Sequence, residues 1–302
     1  MRNYLLIVLC LFLILTSLPS SSQTEAPFYD AKEKKGLKSL FKKKEQPPES
    51  EEQIYQRALA EFEGKPTWLA KKYPEKAEKA RESKLQKPFY YRVNYQASIE
   101  LFQKLIYEYP FTRYLVDADF YIAEAYFKSK DYDIALQAYQ DFLVRHPRNS
   151  RAEYVHYQIG LCHFQKRKKN PLRDQSETIS AIQAFQLLLI NYPETCYKEK
   201  ALDYIKICEE TLAEHEIKIA DFYYQKKEFF SASLRYHRAV SEYPESSKAD
   251  YALFKEGLSL EKLSRNEDAI RIFTELLTNY PQSKYINQVS ESLKKLNEKS
   301  NP

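Results

Sequence analysis

Residues 115–147 read LVDADFYIAEAYFKSKDYDIALQAYQDFLVRHP and have the pattern of two amphipathic helices joined by a tight turn. Small residues, Ala123 and Ala135, lie where the two helices would cross. Large aromatic residues lie about one helical turn away: Tyr126, Tyr139 and Phe142. Pro147 ends the second helix, because proline has no N–H and its ring clashes with the preceding turn. The stretch therefore predicts a helix–turn–helix unit.

The same unit recurs along the chain. When Pro147 is counted as the thirty-second residue, the small and aromatic positions have the spacing of the tetratricopeptide repeat, which is about 34 residues long. Prolines end the second helix of five successive units: Pro110, Pro147, Pro193, Pro244 and Pro281. A last amphipathic segment from Ile286 to Leu296 has one polar face, as a capping helix requires. The sequence thus predicts an all-α tetratricopeptide-repeat solenoid of about five helix pairs plus a C-terminal capping helix.

Two units depart from the regular spacing. The third unit carries about nine extra residues between its helices, within KRKKNPLRDQSET. Insertions between paired helices form loops on one face of a solenoid, often a contact face. We therefore predict that Arg173, Asp174 and Gln175 contact a partner. The fourth unit has a long first helix, expected from about Tyr197 to Tyr224.

The composition favours binding over catalysis. The 302 residues include only four glycines and carry a net charge of +5. Phosphate-binding loops depend on glycine, and no motif for a nucleophile, a metal site or a cofactor is present. The charge is too small for a nucleic-acid-binding protein, and no nucleic-acid-reading motif is found. We therefore expect no enzyme activity, no metal, no cofactor and no nucleic-acid partner.

The N-terminal fifty residues have the composition of an export segment and a linker. Residues 1–22 resemble a signal peptide, with Arg2 before an apolar run and small residues near Ser22. Cys10 lies inside this run, so it is either a lipidation site or an unmodified residue of the signal. Residues 23–50 form a basic linker, either a disordered solvated arm or a tether to an anionic surface. N-terminal helices are expected over residues 51–87 and the repeat domain over residues 88–298.

Three stretches resemble the BamD family, the tetratricopeptide-repeat lipoproteins of the bacterial outer-membrane protein assembly machine. The stretches are YEYPFTRYLVDADFYIAEAYFKSKDYDIALQAYQDFLVRHP, the RDQS of the insertion, and LAEHEIKIADFYYQKKEFFSASLRYHRAVSEYP. The resemblance covers about Tyr91 to Leu296. It implies an exported, non-enzymatic scaffold, peripherally attached at the periplasmic face of the outer membrane. It also implies two partners: the periplasmic domains of a barrel assembly protein, docked by the C-terminal repeats, and unfolded outer-membrane proteins, received by the N-terminal repeats.

A peptide-binding groove is expected on the first helices of the second and third units. In repeat pairs the first helices line the concave surface, where aromatic and charged side chains hold an extended peptide. By repeat position, the groove residues are Phe120, Glu124, Phe127, Lys128, Tyr154, Tyr157 and Phe164. Packing of some of these residues between repeats is the alternative.

A second function class fits a chain of this kind. A periplasmic repeat adaptor that coordinates cell-wall synthesis or envelope constriction would also be a non-enzymatic solenoid. Such adaptors tend to carry a coiled coil before regular repeats. This chain shows no sustained heptads and its repeat spacing is irregular. These two features favour the assembly scaffold.

Overall fold

A computed structural model describes residues 48–83 and 87–300 of the chain. The predicted signal segment, Cys10 and most of the basic linker lie outside the described residues. The described part is helical apart from two short strands. Its helices are α1 (Glu51–Glu63), α2 (Trp68–Lys72), α3 (Pro74–Ala80), α4 (Lys87–Tyr90), α5 (Tyr95–Glu108), α6 (Leu115–Ser129), α7 (Tyr132–Arg145), α8 (Ala152–Lys166), α9 (Ser176–Asn191), α10 (Lys198–Gln225), α11 (Phe229–Glu242), α12 (Ala249–Lys262), α13 (Asn266–Asn279) and α14 (Ile286–Ser300).

Ten of the helices pack as five antiparallel pairs, followed by the capping helix α14. The pairs are α1 with α5, α6 with α7, α8 with α9, α10 with α11, and α12 with α13. Each pair also packs against the next, and the buried apolar side chains form four clusters along the array. The predicted all-α tetratricopeptide-repeat solenoid is confirmed.

The first pair contains an insertion between its two helices. The strands β1 (Lys65–Pro66) and β2 (Tyr91–Arg92) pair antiparallel and close the insertion at its base. Helices α2, α3 and α4 lie between the strands and pack on one another. Helix α1 is the first helix of this unit and α5 is the second.

Small residues allow the helices of a pair to cross closely, as predicted. Ala123 and Ala135 are fully buried beside the rings of Tyr139 and Phe142. Gly257 has the same role in the fifth unit. A Cβ atom added to Gly257 would lie 2.3 Å from a ring carbon of Phe273, which is itself fully buried. The side chain of Phe273 therefore occupies the space that a larger residue at position 257 would need.

We expect Gly257→Ala to lower the free energy of unfolding by about 1–3 kcal/mol, because the ring of Phe273 must move in a packed core. Helix propensity alone predicts the opposite sign, since alanine in a helix interior is about 1 kcal/mol more favourable than glycine. Urea denaturation followed by circular dichroism measures the change. The double variant Gly257→Ala/Phe273→Leu should recover part of the loss, and a stabilised single variant would contradict the close approach.

Candidate protein-interaction surface

The first helix of each pair lies on the inner side of the array. Besides the contacts within pairs, α1 contacts α6, α8 contacts α10, and α10 contacts α12. Helices that meet across neighbouring units lie where the units are closest together, which is the concave side of a solenoid. The predicted groove residues are all on two of these first helices, α6 and α8.

Four of the seven predicted groove residues are at least partly exposed: Phe120, Phe127, Lys128 and Tyr154. The ring of Phe120 lies 5.8 Å from that of Tyr154, centroid to centroid, and the guanidinium of Arg151 stacks 4.6 Å above Phe120. Phe120 and Phe127 also pack against the core of the second unit, so each presents only part of its ring to this side.

Glu124 is not a surface residue, in contrast to the prediction. Its carboxylate is buried, and it accepts hydrogen bonds from the Tyr139 hydroxyl at 2.5 Å and from Gln158 Nε2 at 3.3 Å. Lys128 Nζ lies 3.8 Å from its other oxygen. Burial, and next the charge of Glu124, raise the pKa of Tyr139. Glu124 thus joins α6, α7 and α8 through a polar network.

Tyr157 and Phe164 also differ from the prediction, because both belong to the core between the third and fourth units. The ring of Tyr157 stacks on Tyr197 with a centroid distance of 4.6 Å. The ring of Phe164 meets the face of Tyr204 at 4.5 Å, and Arg167 covers its other side at 3.7 Å. Helix α10 supplies Tyr204 and its N-cap residue is Tyr197. These two rings therefore support the concave surface from beneath.

The insertion of the third unit lies between α8 and α9, at residues 167–175. Arg173 and Asp174 are exposed and available to a partner. Gln175 is buried, and its Nε2 donates to the carbonyl oxygens of Asn170 and Arg173, both at 3.0 Å. The side chain of Gln175 thus fixes the loop conformation from inside, which corrects its predicted role as a contact residue.

The RDQS loop and the LAEHE segment, two of the stretches that carried the family resemblance, meet in space. His215, on α10, hydrogen-bonds through Nδ1 to the carbonyl oxygen of Pro171 in the loop. Leu172, also in the loop, lines a cavity of about 370 Å³ together with Phe222 of α10. The long helix α10 therefore positions the insertion of the preceding unit.

A row of exposed apolar residues, which the sequence prediction missed, recurs on the second helices of the first three units. Tyr107, Val144 and Ile190 each lie three residues before the terminal proline of their unit, and they are 87%, 81% and 73% exposed. The equivalent residues of the fourth and fifth units are Ser241 and Thr278. The three side chains share one register of the repeat, although single exposed apolar residues are common on protein surfaces. Aligning the five units at their terminal prolines shows this recurrence from the sequence alone.

The remaining candidate chemistry is limited. Cys162 and Cys208 are buried thiols, whereas Cys196 is exposed and the structure pairs none of the three. Burial raises the pKa of Cys162 to about 12. No group of three or more ligand-type side chains converges on a common point within the described ranges. No helix in this part of the chain is both long and apolar enough to cross a bilayer.

The helix pairs, the concave surface and the spacing define a tetratricopeptide-repeat protein, and a model of that repeat matches residues 251–283. The chain belongs to the family described as outer membrane lipoprotein, whose model matches residues 78–266. The match includes the insertion of the third unit and the long helix α10.

Curated relatives carry the name outer membrane protein assembly factor BamD. That of Neisseria meningitidis (strain Z2491) is 25% identical over 202 residues, which are 64% of this chain and 76% of the relative. That of Rickettsia prowazekii is 26% identical over 191 residues, 63% of this chain and 76% of the relative. Among solved structures, the TPR2AB domain of yeast Sti1 aligns at 15% identity with a TM-score of 0.35, over 70% of this chain and 78% of that one.

Proposed function

We propose that this protein is a non-enzymatic scaffold of the outer-membrane protein assembly machine. The observation that carries the proposal is the family match over residues 78–266, which the curated assembly factors support over a similar share of the chain. The protein acts at the periplasmic face of the outer membrane. Its C-terminal repeats dock the periplasmic domains of the barrel component, and its N-terminal repeats receive unfolded outer-membrane proteins.

The surface proposed to receive substrate is the exposed part of the concave side, formed by Phe120, Phe127, Lys128 and Tyr154. Unfolded outer-membrane proteins are extended and rich in aromatic residues, because their membrane strands carry apolar residues with aromatic girdles. Rings such as Phe120 can stack on those side chains, and Lys128 can pair with acidic ones. Glu124, Tyr157 and Phe164 hold this surface in place from below.

Co-purification tests the scaffold role. We expect a tagged protein, gently solubilised from the envelope, to recover a large outer-membrane barrel with periplasmic domains in stoichiometric amounts. The exposed pair Arg173→Ala/Asp174→Ala tests the loop separately, and we expect it to reduce this recovery without altering the fold. Recovery of cell-wall enzymes without a barrel would instead establish the alternative role of an adaptor in cell-wall synthesis.

Site-specific photo-crosslinking locates the substrate surface. A crosslinking residue placed at 120 or 127 samples the concave side, and one placed at 144 or 190 samples the exposed apolar row of the second helices. We expect unfolded barrel proteins to crosslink from the concave positions. Position 241, the polar equivalent of 190 in the fourth unit, is the matched control. If crosslinks form only from positions 144 and 190, the substrate binds along the second helices and the proposed concave site is wrong.

A further inference from the structure

The insertion within the first helix pair presents aromatic side chains to solvent. Trp68 of α2 is 68% exposed and Phe89 of α4 is 65% exposed, and Tyr73 between α2 and α3 is also exposed. The backbone beneath them is well fixed: Thr67 donates from Oγ1 to the carbonyl oxygen of Phe89 at 2.9 Å. Ala70 and the alanines of α3 fill the small interior. The rings therefore protrude from an ordered support.

Lysine side chains lie between these rings and connect them into one surface. Lys72 Nζ lies 6.0 Å from the ring centroid of Trp68 and 5.4 Å from that of Tyr73. Lys76 Nζ lies 5.3 Å from the ring of Tyr73 and also lines a cavity of about 540 Å³ with Phe89. Aromatic and cationic groups thus alternate over a continuous patch, called here the insertion patch.

The insertion is strongly basic. Residues 64–94 contain nine lysines and arginines and three glutamates, a net charge of +6, which equals that of residues 32–44 in the linker. Among the described residues, no carboxylate lies within ion-pair distance of Lys72 or Lys76, although Arg81 has such partners. Glu75 and Glu78 are exposed on the short helix α3, and Arg81 lies 3.7 Å from Glu78 at the far end of that helix. An anionic surface is therefore the complement of the patch.

We propose that the insertion patch binds the surface of an anionic phospholipid bilayer, with Trp68 and Phe89 at the level of the headgroups and Lys72 and Lys76 on the phosphates. Tryptophan and tyrosine are favoured at this depth because their rings have an apolar body and a polar edge. Each lysine near an anionic membrane strengthens binding about fivefold. The inference rests on the proposed envelope location.

The composition of the patch favours a bilayer over a protein partner. The cores of protein interfaces are depleted in lysine, whereas aromatic residues interspersed with lysines are typical of segments that lie on membranes. Helices of five and seven residues and strands of two offer no groove long enough for a partner helix or strand. A flat bilayer surface needs no such groove.

The position of the patch in the chain fits this geometry. The insertion begins directly after α1, whose 13 residues span about 20 Å. The predicted export segment and the basic linker precede α1 in the chain. A membrane contact at the insertion would hold the first repeat at the bilayer whether or not Cys10 is lipidated.

Trp68 is the only tryptophan of the chain, so its fluorescence reports on this surface alone. We expect vesicles of phosphatidylethanolamine and phosphatidylglycerol to shift the emission of the full chain to the blue by ~10 nm, as the ring leaves water for the headgroup region. Brominated lipids should quench the emission, and phosphatidylcholine vesicles should cause less change. If the protein binds vesicles while Trp68 keeps its aqueous emission, the N-terminal segment alone makes the contact and the proposal is wrong.

A charge-reversal variant provides the matched control. Lys72→Glu/Lys76→Glu should weaken the vesicle-induced change at Trp68 by about tenfold or more. Lys262→Glu/Lys294→Glu makes the same charge change at exposed sites in the last part of the array and should leave it unaltered. Equal weakening by both pairs would show that net charge alone drives binding and would overturn the proposed patch.

Co-purification of the barrel component separates this inference from the proposed function. The Lys72→Glu/Lys76→Glu variant should still recover the barrel, because the insertion lies in the first unit and docking is assigned to the C-terminal units. If the unmodified protein recovers the barrel but shows no vesicle-induced change at Trp68, only the membrane patch is overturned. A Trp68 signal without any barrel would overturn only the assembly role.

Discussion

The double variant Tyr157→Ala/Phe164→Ala should destabilise the array strongly rather than weaken peptide binding in a folded protein. Truncating a buried aromatic side chain costs about 3–5 kcal/mol, since the lost contacts leave a cavity. Tyr157 stacks on Tyr197 and Phe164 contacts Tyr204, so both cavities would open at the junction between the third and fourth units. Urea denaturation followed at 222 nm by circular dichroism measures the loss.

Exposed aromatic and aliphatic residues provide the control for this prediction. Phe111→Ala and Val144→Ala remove large side chains that are almost fully exposed, and they should change stability by no more than about 0.5 kcal/mol. The single variants Tyr157→Phe and Phe164→Leu preserve most of the volume and should be tolerated. A double alanine variant as stable as the parent would mean that these rings lie on the surface after all.

The sequence was sufficient to predict the helix pairs, because the residues that determine each pair lie close together in the chain. The small residues at the crossings, the aromatic residues one turn away and the terminal prolines all lie within one unit. Ala123, Ala135 and Tyr139 accordingly have the predicted positions in the core. The loop between α8 and α9 and the long helix α10 were also predictable, because each changes the spacing between terminal prolines.

The groove was predicted less well, because the neighbouring unit decides whether a residue is exposed. Tyr157 occupies a first-helix position that the repeat pattern assigns to the concave side, yet Tyr197 of the next unit covers it. Glu124 was expected to meet a peptide, but Tyr139 and Gln158 enclose its carboxylate. Spacing within a unit gives the direction of a side chain and not what packs on it.

The insertion of the first unit illustrates a different limit. Its composition marks residues 64–94 as basic and aromatic, but no periodicity connects Trp68 with Phe89 across 21 positions. The pairing of Lys65 with Arg92 brings the two ends of the insertion together, and this contact is set by tertiary structure. Helices α1 and α5 pack together on either side of this insertion.

Ionisation of the buried Glu256 side chain should lower the free energy of unfolding as the pH rises from about 5 to above 8. Its carboxyl group is 5% exposed, and Oε2 has no hydrogen-bond partner within the described ranges. Burial is the main cause that raises its pKa to about 8, and the charge of Glu275 on α13 adds to it. The charge of Arg271 on α13 opposes the rise in pKa. His237 on α11 faces the same carboxyl group, with its Nδ1 3.2 Å from Oε1.

The direction of the effect follows from proton binding. Between the unfolded pKa near 4.5 and the folded pKa near 8, the folded state holds a proton on Glu256 that the unfolded state has released. The free energy of unfolding therefore falls as pH rises through this window, by an amount on the order of 4 kcal/mol once the pH exceeds the folded pKa. Urea denaturation at a series of pH values between 5 and 9 measures the slope.

Glu256→Gln isolates this contribution, because glutamine keeps the shape of the side chain and does not ionise. The variant should be more stable than the parent at pH 9 and similar to it near pH 5. His156 titrates in an overlapping range with the opposite sign, since burial lowers its pKa and favours the fold at higher pH. Both proteins contain His156, so its contribution cancels when the free energy of unfolding of the parent is subtracted from that of the variant. A difference that does not change with pH would show that Glu256 is ionised in the folded protein, with water or His237 as its partner.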